Sequence, residues 1–233
     1  MIKPLISVIV PTLNEEKYAE KCLFSLSNQN FDNNYEIIVV DGHSKDKTVE
    51  ITKKYADKIL KCKKRNVAAQ RNFGAKQAKG DILAFIDSDT VASPNWLRSI
   101  SNVFEDNHVV AATGPIYPLE NTKIRFLYQI MNELQSFLIK IDRPMFAGAS
   151  CAFRKDNFDE ISGFNEKLHT CEDHDISLRI RKRGKIKFAK SMIVFTSNRR
   201  FDSKQKIHTQ TGYYVNNTIN YFLKKPKKYI EIR

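Results

Sequence analysis

Two carboxylates one residue apart, Asp87 and Asp89, follow directly on the apolar run of residues 82–86. Acids in that spacing at a strand end make a hard oxygen site, suited to Mg²⁺ or Mn²⁺ carried together with a substrate diphosphate. One carboxylate would ligate directly while the other held a water or a ribose hydroxyl. The same triplet, with Ser88 between, also suits an acidic turn that caps a helix. Asp41 ends another apolar run, before Gly42. It can accept from a base N–H or a ribose hydroxyl, or close a turn. Arg71 offers a diphosphate a permanent positive charge, although a helical arginine more commonly points to solvent. Glu172, Asp173 and Asp175 form a third acidic group. Taken alone, they read as the start of a helix, favoured by its macrodipole.

The surrounding pattern tells how such residues would be held. Residues 5–10 are a short β-branched run broken by Pro11, a buried strand by its composition. Thr12 or Asn14 is placed to cap a following helix, with Tyr18, Cys22, Leu23 and Leu26 at helical spacing. A second buried strand spans 35–40, a helix 48–55 and a short strand 56–60. An Ala-rich helix spans 66–79 and a further strand 82–86. The helix opening near Asn66 could aim its positive end at phosphate. Alternation of this kind predicts an α/β fold, a mainly parallel mixed sheet flanked by helices. Ligands of such sheets collect at the carboxyl ends of the strands, where Pro11-Thr12, Asp41-Gly42 and Asp87-Ser88-Asp89 all fall.

Beyond Asp89 the periodicity predicts a helix over 96–105, a strand over 109–113 and a longer helix over 124–141. Leu127, Met131, Leu134, Leu138 and Ile141 form a stripe on that helix, widened by Phe126, Ile130 and Phe137. Residues 146–153, rich in small side chains, are a loop or strand whose Gly148 and Ala149 are candidates for acceptor contact. A helix over 176–183 and a strand over 187–194 complete the pattern. Arg199 and Arg200 follow that strand as candidates to grip phosphate, and His208 is a candidate metal ligand that equally suits a surface position.

The 233 residues, 42% apolar and 11% aromatic, suit one folded domain. Their charge of +13 is unevenly placed: residues 179–233 carry 16 Lys/Arg against 2 Asp/Glu, and the rest is near neutral. No RRM, KH or zinc-finger pattern accompanies it, which argues against nucleic acid. The tail interleaves Tyr213, Tyr214, Tyr221 and Phe222 with Lys224, Lys225, Lys227 and Lys228. It suits either an amphipathic segment on an anionic bilayer or a helix folded back on the domain. Cys22, Cys62, Cys151 and Cys171 lack metal or disulfide spacing, so free thiols in a reducing compartment are expected. The opening MIKPLISVIVPT lacks the form of a signal peptide. No apolar run approaches the roughly 20 residues of a membrane span. A cytoplasmic protein, with peripheral contact to the inner face of the cell membrane left open, is the expectation.

Five segments, VPTLNEE, VVDGHSKDKT, RNFGAKQAKGDILAFIDSDT, RKDNFDEISGFNE and TCEDHDISLRIRKRG, resemble in that order the motifs of glycosyltransferase family 2. The resemblance covers roughly residues 5–190. It implies a GT-A fold over 1–195, with a Rossmann-like nucleotide-sugar-binding half (1–113) and an acceptor-binding half (114–195). The basic, aromatic segment 196–233 follows. By resemblance, Pro11, Thr12, Asn14 and Glu15 line the nucleotide pocket, Asp41 bonds the base and Arg71 approaches the nucleotide. Asp87, Ser88 and Asp89 form the ribose and metal motif, with Mn²⁺ or Mg²⁺ as cofactor. Glu172-Asp173 resembles the acidic pair that supplies the catalytic base, Asp173 acting and Glu172 orienting it or binding an acceptor hydroxyl. The implied function is inverting transfer of a sugar from a nucleotide diphosphate donor to a hydroxyl acceptor, a glycan or a lipid-linked compound. The chain departs from the family in two places. Gly42 and His43 stand where many members have a second acid, and Ser162-Gly163-Phe164 replaces Gly-Gly-Phe. Absence of the Gln-x-x-Arg-Trp motif, with Trp96 the sole tryptophan, favours single-sugar addition over polymerisation. Two alternatives stand beside this reading: a sugar nucleotidyltransferase, which should carry a Gly-rich, Arg-containing loop that VPTLNEE lacks, and a non-catalytic sugar-nucleotide-binding domain.

Overall fold

The computed structural model describes residues 6–120, 124–168, 170–197 and 199. Arg200, His208 and the aromatic–lysine stretch lie outside the described residues.

Four strands come first along the chain, three almost wholly buried and the edge one only partly so. These are β1 (Ile6–Thr12), β2 (Tyr35–Asp41), β3 (Lys58–Lys61) and β4 (Ile82–Ile86), all parallel in the order β3-β2-β1-β4. Side chains alternate between faces with period two, and both faces of this sheet are covered. Val8 and Val10 of β1 pack with Leu23, Leu26 and Trp96 on one side, while Ile9 packs with Val40 and Phe85 on the other. That two-sided burial explains why β1, β2 and β4 read as largely apolar runs, unlike the edge strand β3.

Three later strands complete the sheet. They are β8 (Ser150–Arg154), antiparallel to both β4 and β6, then β6 (Val109–Thr113) and β9 (Lys185–Phe188). The full order is β3-β2-β1-β4-β8-β6-β9. A second, three-stranded sheet runs β5 (Thr90–Ala92), β10 (Val194–Thr196), β7 (Ile116–Pro118). The expected single late strand over 187–194 is therefore two short strands in different sheets. Alternating apolar residues recur at 186, 188, 192 and 194, and sequence spacing has no means of assigning them to separate sheets.

The helices are α1 (Ala19–Ser27), α2 (Thr48–Thr52), α3 (Val67–Gln77), α4 (Trp96–Val103), α5 (Arg125–Lys140), α6 (Lys155–Glu160) and α7 (Glu172–Ile180). Helix α1 begins later than expected, with Tyr18 rather than Thr12 or Asn14 at its cap position. Helix α7 begins four residues earlier than the apolar spacing indicates, so Glu172, Asp173 and Asp175 occupy its first turn. Asn66 caps α3 by accepting from the Ala69 N–H at 3.1 Å. Its amide also donates to the carbonyls of Glu166 and Leu168, so that helix end is closed by the chain itself.

Helix α3 buries Gln70, Arg71 and Asn72 among its alanines. Helix α5 does the reverse. Asn132, Gln135 and Ser136 face inward, while Phe126, Leu127, Ile130, Met131, Leu134, Phe137 and Ile141 are exposed. Asn132 accepts from the N–H of Ile116 and donates to its carbonyl, which ties the polar face of α5 to β7. Ser162 adopts φ +60° and Gly163 φ +63°. The first of these holds a Cβ residue where Gly-Gly-Phe would place an unstrained glycine.

Candidate active site

The strand order reverses between β1 and β4, and the crevice outside their carboxyl ends gathers the polar residues. Thr12 ends β1, and its carbonyl accepts from the Gly42 N–H and from Gln70 Nε2, each at 2.9 Å. Gln70 Nε2 also donates to the Val40 carbonyl at 3.0 Å. A Cβ on Gly42 would meet Gln70 Nε2 at 2.8 Å, so a larger residue there would require Gln70 to shift. Pro11 and Thr12 are buried, and Asn14 sits at φ +55°. Asn14 donates its N–H to Ser44 Oγ and accepts from the Lys45 N–H, lacing the loop after β1 to the loop after β2. Asp41, 2% exposed, accepts from the N–H groups of His43 and Ser44. His43 and Cys171 share the positive φ of Asn14, so three strained residues border the crevice.

At the centre lies Arg71, 2% exposed. Its Nη2 donates to Asp87 Oδ1 at 2.7 Å and to the Gly148 carbonyl at 3.0 Å; its Nη1 donates to Glu172 Oε1 at 3.1 Å. The guanidinium lies 5.2 Å from the centre of the Phe164 ring. Asn72 clamps that ring's backbone with two 2.8 Å bonds. Burial works against the arginine's charge, but Asp87 and Glu172 outweigh it and hold the pKa above the ordinary value. Burial, followed by the neighbouring Asp173 charge, pushes the Glu172 carboxyl up to about 7, with Arg71 pulling the other way. Cys151 lies buried close by, its thiol pushed up to about 12 by desolvation and therefore unreactive at neutral pH.

Arg71 thus joins the strand-end acids to the acids of α7. Ala149 reinforces the joint, its carbonyl accepting from the Asp87 N–H at 3.4 Å. A Cβ on Gly148 would stand 3.1 Å from Arg71 Nη2 and in ordinary contact, 3.4 Å, with Asp173 Oδ2, so the guanidinium lies closely against this backbone. Gly148 and Ala149 are accordingly part of the central joint. Asp173 remains half-buried, and its Oδ1 accepts from the N–H of its own neighbour His174.

Asp89 lies on the other flank. Its Oδ2 stands 3.1 Å from Arg199 Nη2, and Arg199 makes a bidentate pair with Glu15 at 2.6 and 2.8 Å. Arg199 reaches this position because β10 pairs Thr196 with Thr90 and the Ser197 N–H donates to the Asp89 carbonyl. Ser88 between the two acids is buried. Among the described residues, no three His, Cys, Asp or Glu side chains converge as a cage for a metal ion. A donor set of one or two carboxylates still fits Mg²⁺ or Mn²⁺, which commonly take the rest of their ligands from phosphate and water. Gln70, Phe164 and Tyr18, whose ring lies 4.9 Å from the Arg199 guanidinium carbon, were not among the candidate site residues read from the sequence. Polar Gln-Arg-Asn within an alanine-rich helix is the one signal that could have indicated a buried polar face.

The family model for "Glycosyl transferase family 2" matches residues 7–162. The chain belongs to this family. An uncharacterised glycosyltransferase of Rickettsia felis is 30% identical over 222 residues, covering 90% of this chain and 35% of that protein. The chain spans about a third of the length of such curated relatives. A mannosyltransferase of Pyrobaculum calidifontis, solved with GDP-Man and Mn²⁺, superposes with a TM-score of 0.75 at 17% identity. That match covers 97% of this chain and 66% of the other. Staphylococcus aureus TarS 1–349 with UDP-GlcNAc gives 0.70 at 23% identity, covering 87% and 60%. At these identities the structural likeness establishes a shared fold, in keeping with the mixed sheet flanked by helices. Family membership accounts for the ordered motifs.

Proposed function

We propose that this family 2 chain transfers a sugar from a nucleotide diphosphate donor to a hydroxyl acceptor, with inversion at the anomeric carbon. One observation carries the reading: Arg71 clasps Asp87 on the donor side and Glu172 on the α7 side within a single buried guanidinium. Donor-side and acceptor-side acids are thereby held in fixed register, as a single displacement requires.

Pro11, Thr12, Asn14, Glu15, Asp41 and Ser88 form the nucleotide side of the crevice in this reading. Asp89, with Asp87 beside it, would hold Mn²⁺ or Mg²⁺ against the diphosphate. Such an ion, when bound, supplies neutralisation of the charge on the departing nucleoside diphosphate. Asp173 takes the acceptor proton as the hydroxyl attacks. Its half-exposed carboxylate is suited to this, since its partner Glu172 is committed to Arg71. The Mn²⁺ and nucleotide-sugar complexes of the structural relatives support the choice of cofactor and donor class.

The acceptor in this reading is a lipid-linked or membrane-proximal hydroxyl compound, the chain resting on an anionic surface. Support comes from the outward apolar face of α5 and the cationic C-terminal stretch. Thermal-shift screening of UDP-, GDP- and dTDP-sugars with Mn²⁺ tests the donor reading. A true donor at 100 times its dissociation constant stabilises by about 2.7 kcal/mol; no stabilisation by any nucleotide sugar would sink it.

A further inference from the structure

Arg199 stands where a donor-bound cation would have to work. Its planar fork spans two carboxylates from distant parts of the chain, Glu15 on the loop after β1 and Asp89 after β4. Both carboxylates are largely shielded, each with a side chain 14% exposed, while Arg199 is 34% exposed at its side chain. Tyr18 stacks against the guanidinium, which completes a three-sided seat. Shielding strengthens each of these interactions relative to the surface. An arginine does not lose its proton at any ordinary pH, so this bridge opens by competition and not by titration.

We propose that Arg199 is a cation-displaced latch: a divalent ion and the Arg199 guanidinium compete for Asp89, and ion binding releases the arginine. The inference rests on the reading of Asp89 as the metal-holding carboxylate. A doubly charged ion outcompetes a singly charged guanidinium at one carboxylate, the more so when a diphosphate completes its shell. The released guanidinium keeps its fork geometry, which matches phosphate oxygens. Its tether is short, because Ser197 is bonded to the Asp89 backbone and Arg199 follows two residues later. The arginine therefore stays within the crevice and becomes a donor-positioning residue. Closing the latch without an ion spares Glu15 and Asp89 from facing each other unneutralised.

The test is Mn²⁺ binding to the full chain without nucleotide, followed by electron paramagnetic resonance, for wild type, Arg199→Gln and Asp89→Asn. The latch predicts that Arg199→Gln binds Mn²⁺ about five- to tenfold more tightly than wild type, since a partly shielded competitor is gone. Asp89→Asn should lose the binding. Unchanged or weaker binding by Arg199→Gln, with binding lost in Asp89→Asn, overturns the latch and leaves the metal reading standing. Wild-type binding by Asp89→Asn overturns the metal reading and the latch with it. Hydrogen exchange on the wild-type protein gives a readout independent of variant folding. Added Mn²⁺ should speed exchange of the Arg199 amide as its side chain leaves Asp89, while the Ser197 amide, bonded to the Asp89 carbonyl, keeps its protection; unaltered exchange at Arg199 with Mn²⁺ bound would reject the latch.

Discussion

Arg71 Nη1 donates to Glu172 Oε1 across 3.1 Å, joining residues 101 positions apart in the chain through a guanidinium that is almost wholly buried. The same group holds Asp87, so two elements that carry different halves of the proposed chemistry share one counter-charge. Removing a partner from such a buried pair costs more than the pair contributes, because the remaining charge is stranded.

Arg71→Ala should therefore destabilise the protein by about 3–5 kcal/mol, measured as a fall in the urea midpoint. Arg71→Lys should recover little of it, because one ammonium cannot reproduce a fork that reaches Asp87, Glu172 and the Gly148 carbonyl together. Full recovery by lysine would show that charge alone matters at this position.

Glu172 gives stability a pH dependence of definite sign. Its carboxyl is raised from 4.5 to about 7 in the folded protein, so the native state holds this proton more tightly than the unfolded chain. The contribution is full below 4.5 and is lost as pH rises towards 7. Melting temperatures of wild type and Glu172→Gln, compared from pH 4.5 to 8, should show wild type losing ground to the variant up to about 7 and a constant gap above. A gap that does not change over the whole range would mean that Glu172 is not so perturbed.

Asp173→Asn should lower turnover by about 10²–10⁴-fold while leaving nucleotide-sugar binding at wild-type strength. The asparagine keeps the size of the side chain and its bond to the His174 N–H but removes the basic oxygen. Pre-steady-state transfer assays with donor titration separate the two effects. Near-normal turnover would assign the proton transfer to another group.

The outward face of α5 predicts vesicle binding. Ile130 and Phe137, 51% and 55% exposed, pack little against the fold, so Ile130→Gln with Phe137→Gln should leave the melting temperature unchanged. Sedimentation with phosphatidylglycerol vesicles should fall by at least tenfold, given about 1.5 kcal/mol or more per inserted side chain. Equal binding of both proteins, or equal binding to neutral and anionic vesicles, would detach α5 and the basic stretch from any membrane role.

Much of the strand-end side of the crevice was legible in the residues themselves. The runs at 35–40 and 82–86 are buried on both faces, and a doubly buried parallel strand must be continuously apolar. With β1, their ends bring Thr12, Asp41 and Asp87 to one edge, because parallel strands share a direction. Helix α5 shows the limit of that logic: its apolar stripe was legible, but periodicity does not say whether a stripe faces a core or the outside. Here Asn132 and Gln135 find backbone partners inward, and the apolar side is turned out.

The sequence by itself determined the alternating α/β order, the acids at the strand ends and the family whose ordered motifs they match. These are local properties, set by side-chain period and by residue type at chain positions. Tertiary structure decided the partnerships. It withdrew Arg71 from solvent and gave it Asp87 and Glu172, wedged Gln70 against Gly42, and through the pairing of β10 with β5 carried Arg199 to Glu15 and Asp89, each more than a hundred residues away along the chain. Ion pairs of that separation are chosen by which strands lie side by side, and no spacing along the chain encodes that adjacency.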